Sequence, residues 1–211
     1  DKLAHYAKAA LDIEYQFPMG WGEIEGVHNR GDWDLSRHAQ FSGKSLEYRD
    51  DRTNERFIPY CVETSAGLDR TFLALISDAY DQDMAPNDKG EMEKRDVLRF
   101  RPRVAPVTVA VFPLSRKPDL EEIARKMETD LRRVHNYRSM YDETGSIGKR
   151  YRRQDEVGTP LCITVDFDTL EDHAVTIRNR DTMQQIRVPM ETVATAVADQ
   201  IREMEHSFDR G

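Results

Sequence analysis

The sequence predicts an α/β (α+β) protein, and three stretches carry that reading. Phe57–Tyr80 reads as a short apolar strand, a turn of small residues and an amphipathic helix. Trp21–Val27 alternates in period two, as a strand does. From Val107 onward, strand-like and helix-like runs follow one another in the order β-α-β-α-β-β-α, which implies a mixed sheet with helices packed on it. A chain of 211 residues with 38% hydrophobic content is long enough for one or two such domains.

Along the chain, Leu3, Tyr6, Ala7, Ala10 and Leu11 are spaced as in a helix, so Asp1–Phe17 is expected to be helical. In Trp21–Val27, Trp21, Glu23, Glu25 and Val27 are expected on one face and Gly22, Ile24 and Gly26 on the other, so two carboxylates share a face with a tryptophan. A solvated face of an antiparallel sheet explains that pattern as well as a binding site does. The polar run His28–Glu55 reads as a loop with a short strand near Ser45–Tyr48. Ser36 and His38 within it do not make a hydrolase triad, because near neighbours in sequence seldom face one another.

Phe57–Val62 is expected to be a core strand, at a sheet edge because of Pro59. After Glu63–Gly67, the residues Leu68, Phe72, Leu75, Ile76 and Ala79 fall on one helical stripe. Arg70 lies off that stripe in the first turn, where the helix dipole disfavours a cation. Either it pairs with a nearby carboxylate while Ser65 caps the helix and Glu63 sits in a surface ladder, or Glu63, Ser65 and Arg70 converge on a ligand.

Asp81–Arg95 is charged and lacks apolar periodicity, which predicts an exposed connection, and Val97–Phe100 resumes a strand pattern. Beyond it, strands are expected at Val107–Leu114, Tyr137–Tyr141 and Leu161–Phe167, with a hairpin at Val175–Asn179 and Gln185–Val188. Helices are expected at Asp119–Val134, Ile147–Val157 and Met190–Phe208. The helix Ile147–Val157 begins with Lys149, Arg150, Arg152 and Arg153 and ends in Asp155 and Glu156, against its own dipole throughout. Phosphate binding explains the cationic half, and so do local i,i+3 and i,i+4 pairs.

The net charge of −8 argues against a generic polyanion binder. The acidity is uneven: residues 1–100 hold 13 Lys+Arg against 20 Asp+Glu, and residues 101–211 hold 18 against 19. No apolar run approaches the length of a membrane span, and the first residues do not read as a secretory signal, so neither feature is expected in this stretch. Cys61 and Cys162 sit in apolar runs, as reduced core thiols do, and no spacing indicates a metal site.

Val62-Glu63-Thr64-Ser65-Ala66-Gly67-Leu68-Asp69-Arg70 resembles the third signature of class II aminoacyl-tRNA synthetases, in particular that of the dimeric glycyl-tRNA synthetases, with Thr64 where proline is usual. Gly20–Val27, Asn29-Arg30, Asp34–His38 and Gly145–Glu156 are similar to segments of the same enzymes, so the resemblance covers nearly the whole chain. It implies that residues 1–103 are the C-terminal part of a catalytic domain with an antiparallel sheet, and 104–211 an anticodon-binding domain. The other two class signatures would lie upstream of Asp1, in a cytoplasmic homodimeric ligase that uses glycine, ATP with Mg2+, and tRNA-Gly.

On that resemblance Arg70 is the catalytic arginine and binds ATP together with Glu63. Glu23, Glu63 and Ser65, with Glu25 as a second carboxylate, would hold the glycine. Lys149, Arg150, Arg152, Arg153, Arg178 and Arg180, with Arg187 beside them, are the candidates for tRNA. This piece alone would be inactive. The competing functions are a synthetase-like accessory protein that binds RNA or a protein partner without aminoacylation, and an acidic scaffold whose polar clusters are all surface.

Overall fold

The computed structural model describes residues 3–87 and 90–209. They form two compact units, the first running to Ser77 and the second starting at Asp78.

The first unit is built on an antiparallel sheet of β1 (Ala9–Phe17), β2 (Gly20–Gly31) and β5 (Cys61–Ala66), in the order β1-β2-β5. Residues 9–17 are thus a strand where a helix is expected. Leu11, Ile13, Tyr15 and Phe17 alternate in period two, and cross-strand pairing with β2 favours that period over the helical spacing of Leu3–Leu11. Pro18 and Met19 turn the chain into Gly20, whose φ of 122° needs a glycine. Phe17 then lies over Gly22, where a Cβ would stand 3.3 Å from its ring.

Residues 28–55 are more ordered than a loop. β2 continues to Gly31, α1 (Trp33–Ser42) follows, and β3 (Tyr48–Arg49) pairs with β4 (Arg56–Phe57). α1 buries none of its side chains, so it has no apolar stripe to betray it, and it ends on Gly43 in the left-handed conformation. The expected core strand at Phe57–Val62 lies later: β5 begins at Cys61, and Phe57, Tyr60 and Val62 are exposed. Pro59 cannot donate to a ladder, and pairing with β2 starts only past it, through the polar residues that the sequence suggested as a turn. α2 (Leu68–Ala79) starts where expected.

In the second unit the charged stretch after Ala79 is a hairpin, β6 (Tyr80–Pro86) against β7 (Met92–Leu98), and not a loose connection. Its inward side carries Asp83, Ala85, Arg95 and Val97, so charge stands where periodicity would look for apolar residues.

β8 (Val109–Pro113), β9 (Ser139–Tyr141), β10 (Leu161–Val165), β11 (Ala174–Asn179) and β12 (Gln185–Pro189) form a mixed sheet in the order β12-β11-β10-β8-β9. β8 is parallel to β9 and β10, and the other pairs are antiparallel. Val109, Val111, Ile163 and Ile177 point to one face, where α3 (Pro118–Arg133) and α6 (Val193–Phe208) supply Leu120, Leu131 and Val197. Ala110, Phe112 and Cys162 point to the other face, against Ile147 and Tyr151 of α4 (Ile147–Val157). A one-turn helix, α5 (Thr169–Asp172), precedes β11.

α3 has the expected chemistry of a helix, with proline at its start, Asp119 and Glu121 in the first turn and Arg132 and Arg133 in the last. α4 lacks that charge order and is held by tertiary packing, with Ser146 as N-cap and Gly158 as left-handed C-cap. A Cβ at Gly158 would stand 2.5 Å from the Phe100 ring and 2.8 Å from the Leu98 carbonyl.

Candidate functional site

In the first unit the polar residues are arranged by two irregularities in β2. Against β1, Ile13 pairs with Glu25 and Glu14 with Glu23, so Ile24 is an extra residue. Against β5, Asn29 pairs with Val62 and Gly31 with Cys61, which leaves Arg30 as a second extra residue. A bulge breaks strict alternation and re-aims side chains. Glu23 Oε1 consequently lies 3.4 Å from where a Cβ of Gly26 would stand, on the face of Gly26. Glu25, adjacent to Gly26 in the regular part of the strand, is on the opposite face. The expectation that Glu23 and Glu25 share a face is corrected by the bulge.

The carbonyls of Ile24 and Glu23 have partners on the side of β2 away from β1. Ile24 O accepts from Gly67 N at 3.3 Å, and Glu23 O accepts from Arg70 Nη1 at 2.6 Å. Arg70 is otherwise exposed, which explains how a cation is kept in the first turn of α2: it reaches across to β2.

Cross-strand register completes the site. Ser65 is opposite Gly26, and Glu63 is opposite His28. Arg30 closes one end: Nη1 donates to Glu63 Oε2 at 2.5 Å, while Nε and Nη2 donate to Asp34 at 2.5 and 2.9 Å. Asp34 is held below the usual carboxylate range by these bonds from Arg30. Glu23, Ser65 and Glu63 therefore flank one strip of sheet, with Arg70 at its end. His28, in the middle, escaped the sequence reading; the register of β2 against β5 is what brings it there.

In the second unit, four arginines and four aspartates interlock. Arg95, with a fully buried side chain, binds Asp83 through Nε and Nη2 and donates through Nη1 to Asp155 Oδ2 (3.2 Å) and Arg180 O (2.9 Å). Arg178 donates to both oxygens of the buried Asp155, at 2.9 and 3.2 Å. Arg99 joins Asp81, Asp83 and Asp181, and Arg180 holds Asp181 and Gly158 O. Asp83 is held low chiefly by the hydrogen bonds from Arg95. This network ties the β6–β7 hairpin to α4 and β11 alongside the buried Ala85 and Val97.

The basic residues singled out in the sequence divide accordingly. Arg150 and Arg180 are buried. Arg150 donates to the carbonyls of Pro113, Leu114 and Gly145, and its Nε has no hydrogen-bond partner among the described residues. Arg178 is nearly buried, with its guanidinium 4.9 Å from the centre of the Tyr151 ring. Arg153 binds Asp142, Arg187 binds Asp166 and Asp172, and Arg152 reaches Ala85 O and Pro86 O. Lys149 is exposed. Lys149, Tyr151, Arg152, Arg153, Arg178 and Gln185 line a cleft of about 620 Å3.

The family described as "Anticodon binding domain" matches residues 108–200, the stretch that forms the mixed sheet and the helices on its two faces. Over 206 residues the chain is 55% identical to the glycine–tRNA ligase of Bifidobacterium longum, covering 96% of this chain and 42% of that protein. The corresponding figures are 51% over 203 residues for that of Treponema denticola (96% and 45%) and 52% over 204 residues for that of Streptomyces coelicolor (95% and 44%). The chain is thus homologous to the C-terminal portion of glycine–tRNA ligases over most of its length, and it spans less than half the length of these relatives.

Proposed function

We propose that the whole protein is a glycine–tRNA ligase in which residues 1–103 complete the catalytic domain and 104–211 bind the anticodon end of tRNA-Gly. In the first step a glycine carboxylate oxygen attacks the α-phosphorus of Mg2+-bound ATP, the bond to pyrophosphate breaks, and glycyl-adenylate forms. A ribose hydroxyl at the tRNA end then attacks the glycyl carbonyl and AMP leaves. Neither step needs a covalent bond to the protein, so positioning and charge screening supply the catalysis.

The observation that carries this reading is the convergence of Arg70 with Glu23, Glu63 and Ser65 on one strip of sheet. An ammonium leaving water needs carboxylate partners, which Glu23 and Glu63 offer. Arg70 is tethered through one nitrogen and has donors left for the nucleotide, which it meets through a phosphate or by stacking on the adenine. Glu25, on the other face, has no part in the glycine seat. In the second unit, Lys149 and Arg152, with Arg178 on the Tyr151 ring, offer the cationic and aromatic surface that single-stranded RNA bases use.

A cytoplasmic location belongs to the same ligase reading; separately, among the described residues no helix is long and apolar enough to cross a membrane. A homodimer is the expected assembly of the full protein. The test is glycine-dependent exchange of pyrophosphate into ATP by the full-length protein. Exchange should be present in the parent and reduced at least 10-fold, about 1.4 kcal/mol in the transition state, by Arg70→Ala and by Glu23→Gln. Binding of tRNA-Gly with no exchange would replace the ligase by an accessory RNA-binding protein.

A further inference from the structure

The strip between Glu23 and Glu63 is occupied by a side chain to which neither the signature motifs nor the relatives' names give a role. His28 stands directly across from Glu63, and two residues before it Gly26 stands directly across from Ser65. A Cβ built on Gly26 would meet His28 Cε1 at 2.8 Å and Nδ1 at 3.5 Å, so the imidazole leans back over the α-carbon of Gly26. On its other side the same point is 3.4 Å from Glu23 Oε1. The ring and the carboxylate thus close over a glycine backbone, and only the missing side chain at Gly26 lets the ring lie so low. Arg30 bonds to Glu63 beyond His28 and blocks the way out along the strand.

We infer that His28 determines amino-acid specificity: its ring fills the volume that the side chain of anything larger than glycine would need, while Gly26 sets how far the ring projects into the seat. This rests on the reading that Glu23 and Glu63 bind the substrate ammonium. It adds a steric wall to that electrostatic pair. Charge recognises the ammonium and cannot tell glycine from alanine, whereas a filled volume can. The methyl that distinguishes the two is worth about 10- to 200-fold in kcat/KM when a pocket excludes it.

The experiment compares glycine- and alanine-dependent pyrophosphate exchange in the full-length protein for the parent, His28→Ala, Gly26→Ala and the double variant. His28→Ala is expected to lower the glycine-to-alanine ratio of kcat/KM by about 10- to 200-fold. Gly26→Ala is expected to lift the ring into the seat and reduce glycine activation. Removing the ring as well should restore activation while leaving discrimination poor, an interaction that independent effects would not produce. His28→Gln, which keeps bulk at the position, should keep the discrimination and serves if His28→Ala does not fold. A ratio unchanged in His28→Ala with glycine activation intact overturns the inference and leaves the ligase reading standing. An equal loss for both amino acids also overturns it, since that marks a merely structural histidine. A parent with no glycine-dependent exchange overturns the ligase reading first and the specificity wall with it.

Discussion

Replacing Asp155 with alanine leaves two guanidinium groups short of a counter-charge in the interior of the second unit. Asp155 is 1% exposed and accepts from Arg178 through both oxygens and from Arg95 through Oδ2. Removing one partner of a buried ion pair costs about 3–5 kcal/mol, because the remaining charge is left uncompensated. The geometry argues for the lower end. Arg95 keeps Asp83 and the Arg180 carbonyl, and Arg178 borders the cleft, where it can turn toward water. The expected loss is therefore about 3 kcal/mol, most of it from Arg95, which has no route to solvent. At roughly 3–4 °C per kcal/mol for a unit of this size, the melting temperature should fall by about 10 °C. Urea unfolding followed by circular dichroism, with m compared to the parent, separates lost stability from a changed native state. A loss under about 1 kcal/mol at unchanged m, the magnitude of an exposed pair, would refute the claim that the network is buried and holds the hairpin.

Acidification should release the same hairpin. Asp83 titrates below its ordinary value when folded, so its stabilisation is complete above the unfolded value of about 3.9 and is lost as pH falls through the lower folded one; unfolding monitored from pH 5 down to pH 2 should show the hairpin's contribution disappearing below about pH 4, and an unchanged stability there would contradict it. Gly158→Ala forces a side chain into φ 84° and against Phe100 and the Leu98 carbonyl, and should destabilise the second unit by about 1–3 kcal/mol in the same urea assay. Cys162 is buried and burial pushes its thiol up, so a thiol reagent at neutral pH should modify at most Cys61 in the native chain and reach Cys162 only in denaturant.

The second unit's sheet and helices were legible because their stripes face an apolar core: the run from β8 to α6 follows the expected order, with ends shifted by a few residues and the one-turn α5 added between β10 and β11. What escaped the sequence has a common cause. α1 buries no side chain, and β6 and β7 interleave Asp83 and Arg95 with Ala85 and Val97 on their inward side, so neither leaves the continuous apolar signature that periodicity detects. The helical spacing of Leu3–Leu11 misled for the converse reason, since it runs into the period-two residues Leu11–Phe17 and pairing with β2 fixes the chain as extended from Ala9 onward. Of the proposed site, Glu23, Glu63, Ser65 and Arg70 are candidates that the resemblance of their motifs suggests. The bulge at Ile24 that turns Glu25 away, and the register that brings in His28, are properties of pairing between strands and leave no local trace.

The electrostatics of the second unit bear on how it could bind an anticodon within a chain of net charge −8. A protein gains affinity for nucleic acid by releasing counterions when its free cations meet phosphates. Here Arg153, Arg178, Arg180 and Arg187 are already paired with aspartates, so a phosphate reaching them displaces a carboxylate and releases little. Stacking and hydrogen bonds to base edges are left to supply the selectivity, for which Arg178 poised on Tyr151 is suited. It follows that the dependence of tRNA affinity on salt should be shallow, near one or two counterions, and that Lys149→Ala should flatten it while Arg178→Ala weakens binding at every salt concentration. A slope equivalent to about six or more released counterions would mean that the aspartates give up their arginines on binding, and the pairing seen in the free protein would then describe a resting state only.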